Sequence, residues 1–129
     1  MKFSTKTEYG LRVISHLDKT GKVPVSLALI AKGEDLSLAY LERLVSKLKK
    51  EGLVVSKLGA KGGYFLGRPA NEINVLEIVE ALEGKQLKSP CSGSIQCKHL
   101  GRCKINLVWN KLYSEVNKTL KNIKLSSIM

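Results

Sequence analysis

"SLAYLERLVSKLKKEGLVVSKLGAKGGYFLGRP", Ser37 to Pro69, decides how this chain folds. Its first half carries one apolar stripe, Leu41, Leu44, Val45 and Leu48, at helical spacing. Tyr40, Arg43, Lys47 and Lys50 make a second stripe, offset from the first by roughly 140° at ~100° per residue. Ser37 is a suitable N-cap and Gly52 a stop. Directly afterwards "LVVSKL" is rich in β-branched residues, "GAKGG" tolerates positive φ, and "YFL" returns. A two-faced helix followed by a hairpin is therefore expected, with one face for a core and one, basic and tipped by an aromatic ring, for a partner.

Working outward, Tyr9, Leu11, Val13, Ile14 and Leu17 predict a helix between Thr5 and Lys19, and Gly21 and Pro24 break it. "SLALIAKG" is a short helix ending at Gly33, and "EDLS" turns the chain into the helix that starts after Ser37. Two short helices joined by so tight a turn form a helix-turn-helix, and the hairpin behind it is a wing. Lys57 and Lys61 at the wing tip reach for phosphates, while Gly62 lets the backbone come close. "NEINVLEIVEALEG" is a further amphipathic helix with Val75, Ile78, Val79 and Leu82 inward. In the last helix Ile105, Trp109, Leu112, Val116, Leu120 and Ile123 recur at steps of 4, 3, 4, 4 and 3, a seam suited to a partner helix. The tail "KLSSIM" is expected to fray. The expected fold class is mainly α: a winged helix-turn-helix with a two-stranded β-hairpin wing and a long C-terminal dimerisation helix. Residues 1–70 form the DNA-reading region, and residues 71–129 add the cysteine loop and last helix to the same compact domain.

The charge supports a polyanionic partner. The 129 residues hold 22 Lys+Arg against 11 Asp+Glu, a net +11. Residues 1–70 contain 13 basic and 6 acidic residues (+7), residues 71–129 contain 9 and 5 (+4), so the excess concentrates on the reading half. No apolar run is long enough to span a membrane and "MKFSTKTEYG" is unlike a secretory signal, so a cytoplasmic protein is expected.

All three cysteines, Cys91, Cys97 and Cys103, fall in "CSGSIQCKHLGRC" with C-x5-C-x5-C spacing. In a reducing compartment such a cluster points to metal ligation before disulfides. Zinc sites favour pairs two to four residues apart, whereas a wide glycine-rich loop suits a larger iron–sulfur cluster. Catalysis is disfavoured: Cys97 near His99 lacks an orienting third group, and no phosphate loop, dinucleotide fingerprint or carboxylate pair is present. Two rival readings from other classes are an iron–sulfur carrier or scaffold and an interaction module docking a protein partner. The carrier or scaffold leaves the two-faced helix and wing unexplained.

Together "MKFSTKTEYGLRVISHL", "SLAYLERLVSKLKKEGLV", "GAKGGYFLGRP" and the triple cysteine resemble the IscR/NsrR/RirA/CymR family of bacterial winged-helix transcription regulators over nearly the whole chain. The resemblance implies a homodimer, a partly palindromic double-stranded operator, repression, and a cluster on Cys91, Cys97 and Cys103 that alters DNA affinity in response to iron, redox or nitric oxide. Between cluster types it favours 2Fe–2S over 4Fe–4S, which the spacing does not separate. Members without the cysteines answer to other inputs, including cysteine metabolism through a partner enzyme, and a metal-free form remains open here too. Some members complete the ligand set with a histidine three residues past the third cysteine, where this chain has Asn106. Others use an acidic residue near the N-terminus of the opposite subunit, and Glu8 matches it. Candidates for the fourth ligand are thus Glu8 in trans, His99 or a small exogenous ligand, with His16 weaker. For DNA, Ser37 and Tyr40 are expected to touch phosphate or sugar, and Arg43 to read guanine with its forked donors. Glu42 accepts from cytosine N4 or repels phosphate, and Lys47 and Lys50 add unspecific affinity. Leu58 stands where relatives often carry arginine, which implies either weaker minor-groove readout or its takeover by Lys57 or Lys61.

Overall fold

The computed structural model describes residues 3–17, 20–84 and 104–129. In chain order the elements are α1 (Thr5–Ser15), α2 (Leu27–Glu34), α3 (Leu38–Lys50), β1 (Val54–Lys57), β2 (Gly63–Leu66), α4 (Val75–Glu83) and α5 (Ile105–Asn122). Single 3₁₀ turns cover Ala70–Glu72 and Leu125–Ile128. The mainly helical class with one antiparallel hairpin is as expected. Among the described residues no helix is long and apolar enough to cross a membrane.

The core forms where the sequence periodicities meet. Val13 and Ile14 of α1, Leu41, Leu44 and Leu48 of α3, Leu53 and Val54 at the hairpin's entry, and Ile78 of α4 are each 2% exposed or less. Close approach of α1 and α4 depends on Gly10, since a Cβ there would lie 2.2 Å from Leu82 Cδ1. Leu27, Ile30 and Ala31 bring α2 into the same cluster, which Leu17 joins from just beyond α1.

Four boundaries differ from the sequence reading. The first helix ends at Ser15, short of Lys19. The second helix runs past Gly33 and stops at Asp35, which takes the left-handed conformation at φ 54°. Asp is one of the few side chains that tolerate that region, so it does the work assigned to glycine. The helix opening with "NEIN" instead starts at Val75, because Asn74 Oδ1 accepts from Glu77 N and Glu77 Oε2 from Asn74 N, both at 3.0 Å. This reciprocal capping box fixes the start. The tail does not fray. Leu125 is fully buried, its N–H donates to Ile73 O at 2.8 Å, and Val75 N–H donates to Ile123 O at 2.9 Å. The apolar spacing stopped short of this signal because a single leucine docks by backbone pairing, not by periodicity.

The two ends of the core are tied by Glu83, which the sequence reading left in a helix end. Its Oε1 accepts from Ser4 N at 2.9 Å, from Thr7 Oγ1 at 2.6 Å, and from Ser4 Oγ. A carboxylate thus caps the first turn of α1, where the helix dipole also favours negative charge. Burial raises the Glu83 carboxyl, but the hydroxyl and amide donors of Ser4 and Thr7 and the nearby Lys6 outweigh it and hold it below the ordinary 4.5. A depressed carboxyl contributes stability above its unfolded pKa and loses it as pH falls through the folded one. Glu83→Gln is expected to cost about 1–2 kcal/mol at pH 7, by loss of charge-assisted bonds. The deficit should shrink as the pH falls from 4.5 through the lowered folded pKa, where the native carboxylate protonates as well. Denaturant melts at pH 7 and pH 3.5 test this, and a deficit independent of pH would contradict it.

Candidate nucleic-acid interface

α3 presents the face that its sequence pattern implies. Leu41, Leu44, Val45 and Leu48 are buried, whereas Glu42, Arg43, Lys47, Lys49 and Lys50 are exposed. Ser37 caps the helix, its Oγ accepting from Tyr40 N at 3.1 Å. The Ser37 oxygen is therefore used within the chain, and its hydroxyl proton is what remains to offer a phosphate. Asp35 to Ser37 form the whole turn between α2 and α3, closed by Leu36 N–H donating to Ala31 O at 2.9 Å.

The wing follows from the end of α3. Leu53 N–H donates to Leu48 O at 3.0 Å, which anchors the first strand to the helix's last turn. β1 and β2 pair antiparallel in the register Val54↔Leu66, Val55↔Phe65, Ser56↔Tyr64 and Lys57↔Gly63. Tyr64 also pairs with Val25 through two backbone bonds of 3.1 and 2.9 Å, so the hairpin leans on the segment before α2. At the tip Gly62 N–H donates to Gly59 O at 2.9 Å. A Cβ on Gly62 would lie 2.0 Å from Lys57 O, so only glycine closes this turn. The tight turn carries Lys57, Leu58 and Lys61 outward, and Leu58 is 95% exposed between the two lysines. Lys49 Nζ donates to Ser56 Oγ at 2.7 Å and links helix to wing, a role absent from the sequence reading because it depends on where the hairpin lands.

Beside α3, Tyr9 of α1 meets Tyr40 edge to face, with ring centroids 6.1 Å apart at 85°. Arg12 Cζ lies 5.8 Å from the Tyr9 centroid and Arg43 Cζ lies 5.9 Å from that of Tyr40. Arg12 also bonds Glu8 Oε1 at 3.2 Å and Glu34 Oε2 at 3.4 Å, and His16 Nε2 sits 2.6 Å from Glu34 Oε1. The His16 contact, with Arg12 beside it, holds the Glu34 carboxyl below its ordinary value.

Cys91, Cys97, Cys103 and His99 lie outside the described residues. Among the described residues no three His, Cys, Asp or Glu side chains gather as a metal site. Glu8 is 59% exposed and borders an apolar groove lined by Phe3, Leu11, Val75, Val79 and Leu120. Asn106, which stands where some members of the resembled family carry a histidine ligand, sits on the first turn of α5. Its Oδ1 is shielded from solvent and has no hydrogen-bond partner among the described residues. Leaving such an oxygen unpaired costs about 1–3 kcal/mol. α5 has no buried residue: Ile105, Leu107 and Val108 are over 60% exposed, and Trp109 and Leu112 are 37% and 43% exposed.

The chain and its fold are similar to known proteins. In sequence the chain is 37% identical over 133 aligned positions to the HTH-type transcriptional regulator IscR of Vibrio atlanticus, covering all of this chain and 75% of that one. In structure it is similar to CymR, the global cysteine regulator of B. subtilis, with a TM-score of 0.80 and 36% identity over 98% of this chain and 94% of that one. The T. potens IscR gives a TM-score of 0.76 at 35% identity, over 98% and 84% of the two chains. Residues 3–129 match the Rrf2 family, described as "Iron-dependent Transcriptional regulator". This chain is therefore a member of the Rrf2 family of transcriptional regulators.

Proposed function

We propose that the protein is a dimeric, operator-binding repressor whose DNA affinity is set by an iron–sulfur cluster on Cys91, Cys97 and Cys103. The observation that carries the DNA part is the two-sidedness of α3, whose buried stripe forces Tyr40, Arg43, Lys47 and Lys50 outward beside a wing tipped by Lys57 and Lys61. Arg43 reads guanine and Ser37 and Tyr40 approach the backbone. Glu42, exposed one residue before Arg43, tunes specificity, and Gly62 shapes the wing tip. Arg43→Ala is expected to cost about 1–3 kcal/mol and to relax preference at one position per half-site. Lys61→Ala should instead weaken all sequences alike and reduce the salt slope by about one unit. Fluorescence anisotropy on a partly palindromic duplex selected by the protein from a random pool measures both. Unchanged affinity in both variants would remove DNA from this face.

Dimerisation through α5 is supported by its 18 residues without one buried side chain. A lone helix of that length gains stability mainly from packing its apolar face. A second copy presenting the same seam is the occupant that the 4-3-4 spacing fits. The seam is broader than its spacing suggests, because Leu107 and Val108 join Trp109 and Leu112 in exposure. Leu120 lines the chain's own groove with Val75 and Val79, so Val108→Glu with Leu112→Glu is the cleaner disruption. Light scattering should then show a monomer, and a persisting dimer would place the interface elsewhere.

The donor set fits a cluster: three thiolates satisfy iron, and an orphaned Asn106 oxygen stands at the edge of the same segment. Bound there, a cluster would supply a link that oxidants, nitric oxide or iron scarcity destroy. Glu8 of the partner subunit is the proposed fourth ligand, a harder and more weakly held donor than thiolate. A rival reading, regulation by a protein partner without metal, draws on the likeness to CymR. The three thiols favour the cluster. Anaerobic reconstitution with iron and sulfide counting should give cluster-loaded wild type, and a Glu8→Ala product with a shorter cluster lifetime. If Glu8→Ala behaves as wild type while His99→Ala or Asn106→Ala loses the visible spectrum, the ligand is that residue. If wild type takes up no iron, the rival holds.

A further inference from the structure

Arg12, Tyr9, Tyr40 and Arg43 form an unbroken row from α1 to the exposed face of α3, with successive separations of 5.8, 6.1 and 5.9 Å. Both rings are half-buried against the core, so they are backed by rigid packing, whereas the two arginines lie at the surface. At the α1 end Arg12 is held between the carboxylates of Glu8 and Glu34. At the other end the Arg43 guanidinium lies over the ring of Tyr40, which limits where it points. A long, rotamer-rich side chain loses much freedom on binding, and a surface that preselects its direction reduces that loss. Tyr40 alone is a poor guide, because a tyrosine at a helix's first turn can itself rotate. The edge-to-face contact from Tyr9 removes that rotation.

We infer that Tyr9, which lies on α1 and outside the reading helix, is a positioning residue for DNA selectivity: through Tyr40 it aims Arg43 at its base pair. This rests on the assignment of α3 to DNA. Tyr40 then acts by its ring face toward Arg43, in addition to any contact of its hydroxyl with the backbone of DNA. The clamp of Glu8 and Glu34 on Arg12 steadies the far end of the row, so α1 and α3 move as one reading surface.

The test uses the full-length protein and a duplex selected from a random pool by the wild type, together with its single-base-pair variants. Tyr9→Leu and Tyr9→Met keep apolar volume and remove the ring, and circular dichroism identifies whichever folds as wild type. That variant should lose about two- to fivefold of the discrimination at the base pair where Arg43→Ala loses it, the span of one exposed cation–π contact. Affinity for unselected DNA and the salt slope should stay as in wild type, since no charge is removed. In the double variant with Arg43→Ala no further discrimination should be lost, while Tyr9→Phe should retain it all. Discrimination equal to wild type in the ring-less variant, with Arg43→Ala still relaxed, overturns the role of Tyr9 and leaves the DNA face standing. Fully additive losses overturn it too. If Arg43→Ala leaves discrimination intact, the DNA assignment of this face falls, and the role of Tyr9 with it.

Discussion

Burial of four side chains on one helix governs what the molecule can present to a partner. Leu41, Leu44, Val45 and Leu48 are each 2% exposed or less, and helical geometry leaves no freedom once they are placed. Arg43, Lys47 and Lys50 must then face out, at a fixed height above α1 and α4. The wing inherits the same frame, because Leu53 joins the core directly after α3 and bonds back to Leu48.

Most of the fold was legible in the sequence because its signals are local. The stripe of α3, the inward face of α4 and the glycine hairpin each follow from spacing within a single element, and each is found where expected. What escaped depends on residues distant in the chain. Glu83 looks like the last turn of a helix until Ser4, 79 residues away, brings its hydroxyl and amide to it. Leu125 looks like a tail residue until Ile73 offers a carbonyl. Neither partner can be inferred from periodicity, since one buried acid or one docked leucine has none.

The same division holds for the candidate site. The basic stripe and wing lysines were visible as residue types on a pattern. The row of arginines and tyrosines was not, because Tyr9 and Arg12 lie in a different helix and are brought beside Tyr40 only by the packing of α1 on α3. Lys49 was passed over for the same reason, its contact to Ser56 existing only once the hairpin has turned back. Asn106 is the opposite case: residue type marks it only as a departure from the histidine of some relatives, and what distinguishes it is a shielded oxygen with no hydrogen-bond partner among the described residues.

Glu8 poses a competition that bears on how readily a metal could recruit it. Within its own chain the carboxylate already faces Arg12, yet the two side chains are 59% and 52% exposed. An ion pair so open to water is worth ~0–1 kcal/mol, further weakened by salt. Releasing it is therefore cheap, and Arg12 would not be stranded, because Glu34 holds its other nitrogen at 3.4 Å. The groove beside Glu8, walled by Phe3, Leu11, Val75, Val79 and Leu120, adds apolar surface with a single acidic rim, a setting in which a partner helix could dock without burying an unpaired charge. The local energetics thus leave Glu8 free to change partners while the row behind Arg12 keeps its footing. A sensor that must respond to the arrival or loss of one ligand needs that property at the junction between its signal and its reading face.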